Sequence, residues 1–399
     1  MKNLLFWGTL VTLAFLPFTT TETKTLIDPS FASSGASSGV SAGSGDYKLL
    51  APISHGDLTI FPVVSTTSHD TAQFLTLDEG IRSGEVQVME YGNVRGMIRH
   101  LPQGRPYVDS ARVNQLVLVN SSKRPLILLA GEVVTGGKQD RVVGKDRIVP
   151  AESDPVDLSV FCVEHGRWVG ETGKFDTHAS VMAQPSVRKR AMADADQSKV
   201  WEAVSSAKTT MSSRLAASPA VNGNAPDGQA IGGTVGSASK KPMAFSLREL
   251  DATSSYAKVI ENGAVKQQMQ AITEPMQKAY ESVIKQLRNQ NAVGVVVAIR
   301  GRVVWADIFA SNALLSKYWP KLLQSYAAET LTFSGTAGEA SIKDAQSFLD
   351  GWDARHETVD SEPGLYRQRE LVGDRFRAFE LTSLLTKNEF DVHLSKMAE

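Results

Sequence analysis

The chain predicts an α+β fold: a β-rich N-terminal half with a mixed or antiparallel sheet, helices in the middle, and strands again at the C-terminus. Three features of the sequence carry this expectation. Short runs rich in β-branched residues, divided by Gly, Pro, Asn and Ser clusters, fill the stretch from Tyr47 to Val169. Over Ser186 to Leu215, Val265 to Leu287, Leu315 to Tyr326 and Ile342 to Trp352 apolar residues recur at intervals of three and four, the spacing of a buried helical face. After Leu365 the period of two returns.

With 399 residues, 42% of them hydrophobic, the chain is able to bury one large core or two ordinary ones. Its 42 Lys and Arg against 43 Asp and Glu leave a net charge of -1, so no global field draws it to nucleic acid or to an anionic membrane. No nucleic-acid partner is expected, and any binding is local. The single cysteine, Cys162, excludes an intrachain disulfide and a cysteine-based zinc site. On a strand between Phe161 and Val163 it reads as a small buried hydrophobe, because His165, three residues on, faces the other way and cannot serve it as a base. The histidines show no metal-ligand spacing, so no metal site is predicted and no cofactor is specified.

From the N-terminus, Lys2, the apolar run Leu4 to Leu16 and Pro17 read as an export signal over residues 1–21, which places the mature protein in the periplasm or outside the cell. The run is too short to span a bilayer, so no stable membrane span is expected after cleavage; a retained anchor or a buried N-terminal helix is the alternative. Residues 22–46 form a Ser- and Gly-rich disordered tether. Residues 47–399 are then expected to make one large α+β domain, interrupted by a disordered linker over 216–242 that is rich in Ala, Ser, Gly, Asn and Pro and lacks aromatics.

The first predicted strands are Leu58 to Val64, Phe74 to Leu77, Val86 to Glu90, Leu116 to Val119, Leu126 to Val134 and Leu158 to Glu164. Asn120 to Pro125 reads as the hairpin loop joining two of them. Trp201, Val204, Met211 and Leu215 share a helical face. Before them, Arg188, Lys189 and Arg190 read as a solvated basic face, with phosphate recognition as the alternative. Ser246 and Glu249 have capping-box spacing, and the stripe Val265, Met269, Ile272, Met276, Tyr280, Val283 and Leu287 follows, with a break or kink near Pro275. Val293 to Ile299 and Val303 to Phe309 flank Arg300-Gly301 as a second hairpin. Asn312 caps the next helix, which carries Leu315, Tyr318, Trp319, Leu322 and Tyr326, and Ile342 to Trp352 gives another. The last strands are Leu365 to Val372, Arg375 to Thr382 and Phe390 to Leu394. Arg367, Arg369, Arg375 and Arg377 alternate along the first two and either pair with Glu370 and Glu380 or hold an anion.

The densest chemistry lies in Gly131 to Trp168, GEVVTGGKQDRVVGKDRIVPAESDPVDLSVFCVEHGRW, where polar residues are held between two strand-length apolar runs. Gly136 and Gly137 take positive φ cheaply, so the backbone turns there and aims successive N–H groups at an anion or a carbonyl. In an extended chain Lys138 and Asp140 face one way and Gln139 and Arg141 the other. The turn is not a P-loop: Gly131 and Gly137-Lys138 are one residue too far apart, and Gln139 replaces the magnesium-binding hydroxyl.

GEVVTGGKQDR followed by FCVEHGRW resembles the signature of a prokaryotic domain family named for its association with ADP-ribosylglycohydrolases and rhodanese-phosphatase proteins. The likeness runs from about Pro52 to the end, includes DVHLS at Asp391 to Ser395, and breaks at the linker. It implies a small anionic ligand of the ADP-ribose or nucleotide class and brings Glu164, Arg167 and Trp168 back beside the turn. Gly136, Gly137, Lys138, Gln139, Arg141, Arg167 and Trp168 are the expected ligand-binding residues, with Trp168 stacking on a base or sugar and Arg167 pairing with phosphate. Glu132, Asp140 and Glu164 are the candidate acids or bases of a hydrolytic activity, whose existence the residues leave open. The competing reading is a non-catalytic extracytoplasmic binding or scaffold module, in which the same stretch is a β-bulge and hairpin laced by salt bridges.

Overall fold

The computed structural model of the chain describes residues 47–90, 115–166, 174–176, 181–217, 240–287 and 291–399. The expected export signal, the tether and all but the ends of the expected linker lie outside them. In the first half the strands are β1 (Lys48–Leu49), β2 (Ile53–His55), β3 (Leu58–Ser65), β4 (Leu75–Thr76), β5 (Val86–Glu90), β6 (Gln115–Asn120), β7 (Leu126–Leu128), β8 (Val133–Gly136), β9 (Arg141–Val143), β10 (Arg147–Val149), β11 (Val156–Cys162) and β12 (Lys174–Asp176). Helix α1 (Leu77–Ser83) stands between β4 and β5. The middle holds α2 (Pro185–Lys189) with a π-helical turn after it, α3 (Gln197–Ala217), α4 (Lys240–Ala252), α5 (Tyr256–Glu261) and α6 (Gly263–Ile284). Then come β13 (Asn291–Ile299), β14 (Arg302–Phe309), α7 (Asn312–Thr332), α8 (Ile342–Asp350), β15 (Ala354–Glu362), β16 (Tyr366–Gly373), β17 (Phe376–Ser383) and β18 (Phe390–Ala398).

The strands sort into three groups. A closed barrel has the order β11-β6-β5-β12-β8-β9, and a three-stranded sheet the order β10-β7-β4. A nine-stranded sheet runs β1-β3-β13-β14-β18-β17-β16-β15, with β2 added on β3. The α+β expectation holds, with a parallel β4–β7 pair among antiparallel neighbours.

β13, NAVGVVVAI, is a continuous apolar run because both of its faces are covered. Val295, Val297 and Ile299 pack with Trp305 and Phe309 against Tyr280 of α6 and Leu322 of α7, whereas Val293, Val296 and Ala298 pack with Phe61 and Ile308 against Leu349 of α8. Each such Val, Ile, Leu or Phe side chain contributes roughly 1.5–3 kcal/mol by leaving water. α7 keeps one exposed stripe, Ala313, Ser316, Lys317, Pro320 and Gln324, and is largely buried elsewhere, carrying Lys321, Ser325, Tyr326 and Glu329 inward with it. Among the described residues no helix is long and apolar enough to cross a membrane.

Several local expectations differ. Phe74 to Leu77 is strand only at Leu75 and Thr76, because Thr76 also caps α1 in a reciprocal capping box with Glu79, a spacing present in the sequence. Asn120 to Pro125 joins β6 of the barrel to β7 of the small sheet rather than closing a hairpin, with Asn120 Nδ2 donating to Arg124 O at 2.8 Å and Pro150 O at 2.9 Å. α4 already runs from Lys240, so Ser246 lies inside it, and the cap is Ser255, at the start of α5. α6 continues through Pro275 as one element, with Met269, Met276 and Tyr280 buried along it. Ser311, not Asn312, caps α7, its Oγ accepting from Leu314 N–H at 3.0 Å. β15 was not expected, since all nine of its residues are exposed and none marks a core face. The C-terminal arginines meet carboxylates: Arg369 bonds Glu357 and Glu380 at 2.8 Å each, and Arg367 bonds Glu389 at 3.0 Å.

Candidate functional site

β8 ends at Gly136 (φ 121), and Gly137 (φ 49) helps turn the chain toward β9. A Cβ on Gly137 would stand 2.2 Å from the Phe175 ring and 2.8 Å from Glu90 Oε1, so both backbone and space require glycine. The N–H groups expected to face an external anion meet protein carboxylates instead. Gly136 N–H donates to Asp140 Oδ1 at 3.1 Å, Lys138 N–H to Glu90 Oε1 at 2.8 Å, and Asp140 N–H to Glu164 Oε2 at 3.1 Å. Ser255 Oγ donates to Asp140 Oδ2 at 2.5 Å, and Ser255 forms a backbone bridge with Glu164.

Glu90, Asp140 and Glu164 are each only 4% exposed, so the turn is wrapped in buried acceptors. Glu90 Oε2 has no hydrogen-bond partner among the described residues. Leaving a buried acceptor in that state costs about 1–3 kcal/mol. Arg141 is completely buried and stitches the turn, Nη1 donating to Gln139 O at 2.6 Å, while Gln139 is itself buried and Lys138 is half-buried. Opposite Arg141 in the ladder lies Cys162, whose thiol burial pushes up to about 11. Arg167 and Trp168 lie outside the described residues.

Glu132 departs from this group. Its carboxylate accepts from Leu129 N–H at 2.7 Å and pairs with Lys321 of α7, which also bonds Asp78 of α1 at 2.8 Å. Burial raises the pKa of Glu132; it pulls on Lys321 in the other sense, but the two carboxylates outweigh it and keep the ammonium charged.

A second polar centre was not legible beforehand. Arg188, expected on a solvated face, is completely buried. Its guanidinium forks onto Asp307, Nη1 to Oδ2 at 2.9 Å and Nη2 to Oδ1 at 3.1 Å, and lies 4.5 Å from the Trp305 ring centroid. Tyr326 also donates to Asp307, while His393 bridges Asp307 and Asp146 at 3.2 and 2.6 Å. Asp146 accepts in turn from Ala130 N–H at 2.7 Å. Gly131 (φ 96) leaves the space for this, since a Cβ there would stand 2.6 Å from the Arg188 side chain. Burial would raise the Asp307 carboxyl, but Arg188 and His393 hold it far below the usual range. The signals available were Gly131 at the head of the glycine-rich stretch and His393 within DVHLS, with nothing local to connect them. Among the described residues no group of three or more His, Cys, Asp or Glu is placed to hold a metal ion.

Fold and site together define an α+β domain whose double-glycine turn is enclosed by buried carboxylates and whose helix and sheet residues meet in a buried charge network. The sequence profile of the ARG and Rhodanese-Phosphatase-superfamily-associated Protein domain matches residues 46–397, and the chain belongs to that family. No curated protein and no solved structure matches it significantly.

Proposed function

We propose that the chain binds a small phosphorylated ligand of the ADP-ribose or nucleotide class at the Gly136-Gly137 turn. The observation that carries this is Glu90 Oε2, a buried acceptor with no partner among the described residues, on a carboxyl whose other oxygen takes Lys138 N–H. Such an atom favours a donor from outside, and a sugar hydroxyl supplies one. Lys138, half-buried on the same turn, brings positive charge for the phosphate. The family's association with ADP-ribosylglycohydrolases supports the same ligand class.

The reading is one of recognition rather than turnover. Asp140 and Glu164 accept donors from the fold itself, and Glu132 is held by Lys321. The proposal also takes Leu4 to Leu16 as an export signal, so that the ligand is met outside the cytoplasm. Titration with ADP-ribose, followed by calorimetry and melting temperature, tests the site. The expected result is saturable binding that Glu90→Gln and Lys138→Ala each weaken by about tenfold or more while the melting temperature without ligand holds. Arg141→Ala is unsuited, because that side chain is buried and its loss unsettles the turn. Absence of binding, or binding that both variants leave intact, supports the scaffold reading instead.

A further inference from the structure

Between the β15–β16 hairpin and the strands β10 and β11 lies a cleft of about 900 Å³, at the upper end of the range for small-molecule sites. Lys145 and Arg147 line it from the β10 side, Asp360 and Glu362 from the hairpin and Asp157 from β11, with Tyr366 and Gln115 also in its wall. Lys145 pairs with Asp360, and Arg147 Nη2 stands 3.6 Å from Glu362 Oε2. The two cations are two residues apart, Lys145 in the bend before β10 and Arg147 at its first residue.

Neither ion pair is strongly protected. The Asp360 and Glu362 side chains are 63% and 48% exposed, and ion pairs open to water contribute about 0–1 kcal/mol. β15 lies at the end of the sheet with every residue exposed, so this part of the wall is held by the ladder to β16 and by these ion pairs. Arg147 is also incompletely satisfied. Its Nη1 donates to Asp157 O at 2.7 Å, but its buried Nε has no hydrogen-bond partner among the described residues. Burial, and then the neighbouring Arg147, lower the Lys145 pKa.

We propose that this cleft is a second ligand site, one that takes a compound bearing a diphosphate, whose oxygens displace Asp360 and Glu362 from Lys145 and Arg147 and engage Arg147 Nε. The hairpin carboxylates are then built-in competitors that occupy the cations until a more highly charged, planar-donor-matched anion arrives. A guanidinium offers a phosphate paired N–H donors, and Arg147, which gives Nη1 to Asp157 O and also hydrogen-bonds Tyr366, meets Glu362 only at 3.6 Å. The site is separate from the double-glycine turn, and its ligand need not be the same one.

Inorganic pyrophosphate, titrated calorimetrically into the full chain at fixed ionic strength, is the probe. One-to-one binding is expected, tightened about tenfold or more in the Asp360→Asn, Glu362→Gln double variant and weakened about tenfold or more in Lys145→Gln and in Arg147→Gln. Because β15 is exposed throughout, the double variant keeps the fold, which circular dichroism checks. A control, Glu274→Gln with Glu281→Gln, removes the same charge from exposed positions of α6 and leaves the affinity within about twofold. No binding by the double variant, equal tightening in the control, or affinity that survives both Lys145→Gln and Arg147→Gln overturns the proposal.

Discussion

His393 Nδ1 lies 2.6 Å from Asp146 Oδ2, joining residues 247 apart in sequence at a point where neither side chain meets solvent. Burial would lower the imidazole pKa, yet Asp146 and Asp307 raise it from 6.5 to about 9. A group raised on folding contributes stability that is complete below its unfolded pKa and is lost as pH climbs through the folded one. The stability advantage of the natural chain over His393→Gln is therefore greatest at about pH 6 and shrinks toward about pH 10, as read from denaturant midpoints across that range.

Removing the other cation of the network has a larger and less pH-dependent effect. Arg188→Met leaves the buried Asp307 carboxylate with Tyr326 and His393 alone. Breaking one side of such a pair costs about 3–5 kcal/mol, and chemical denaturation should show a loss of that order. Asp307→Asn in the same chain should restore part of it, since the stranded charge is then gone.

Lys396 behaves in the opposite sense. Its ammonium donates to Phe348 O and Gly351 O at the end of α8 and lies 4.2 Å from the Trp352 ring centroid and 4.3 Å from that of Phe376. Burial lowers its pKa from 10.5 to about 8, so the fold gains stability as pH rises from about 8 to 10.5 and loses it again on the way down. Lys396→Met removes that slope. It also strands two carbonyls, for a loss of about 1–3 kcal/mol at neutral pH.

Cys162 is buried and its thiol is pushed to about 11, so little thiolate exists at neutral pH. Iodoacetamide should alkylate it in the folded protein at least about a hundredfold more slowly than in denaturant, at a rate that tracks opening of the fold. Rapid labelling of the folded chain would contradict the packing of β9 against β11.

Neighbouring strands were readable because their partners are adjacent in the chain: β13 with β14 across Arg300-Gly301, and β16 with β17 across Gly373 and Asp374. The barrel was not, since β12 is three residues long and pairs with both β5 and β8. At the site, the glycine turn announced itself through the backbone freedom it needs. Its acceptors did not, because Glu90 is 48 residues from Lys138 and Ser255 is 115 from Asp140. Arg188 sat beside Lys189 and Arg190 and looked like surface, and only its place between the buried Val187 and Ala191 hinted that it turned inward.

β18 follows every other described strand along the chain yet lies between β14 and β17 in the sheet. While the chain is being synthesised, the ribbon β1-β3-β13-β14 and the ribbon β17-β16-β15 therefore have no shared ladder, and each presents an open edge. His393 arrives on that same last strand, so the ion pair inside the molecule waits as well. A nascent chain stalled before Phe390 exposes two sticky borders at once, which makes that interval the one where a chaperone has most to do.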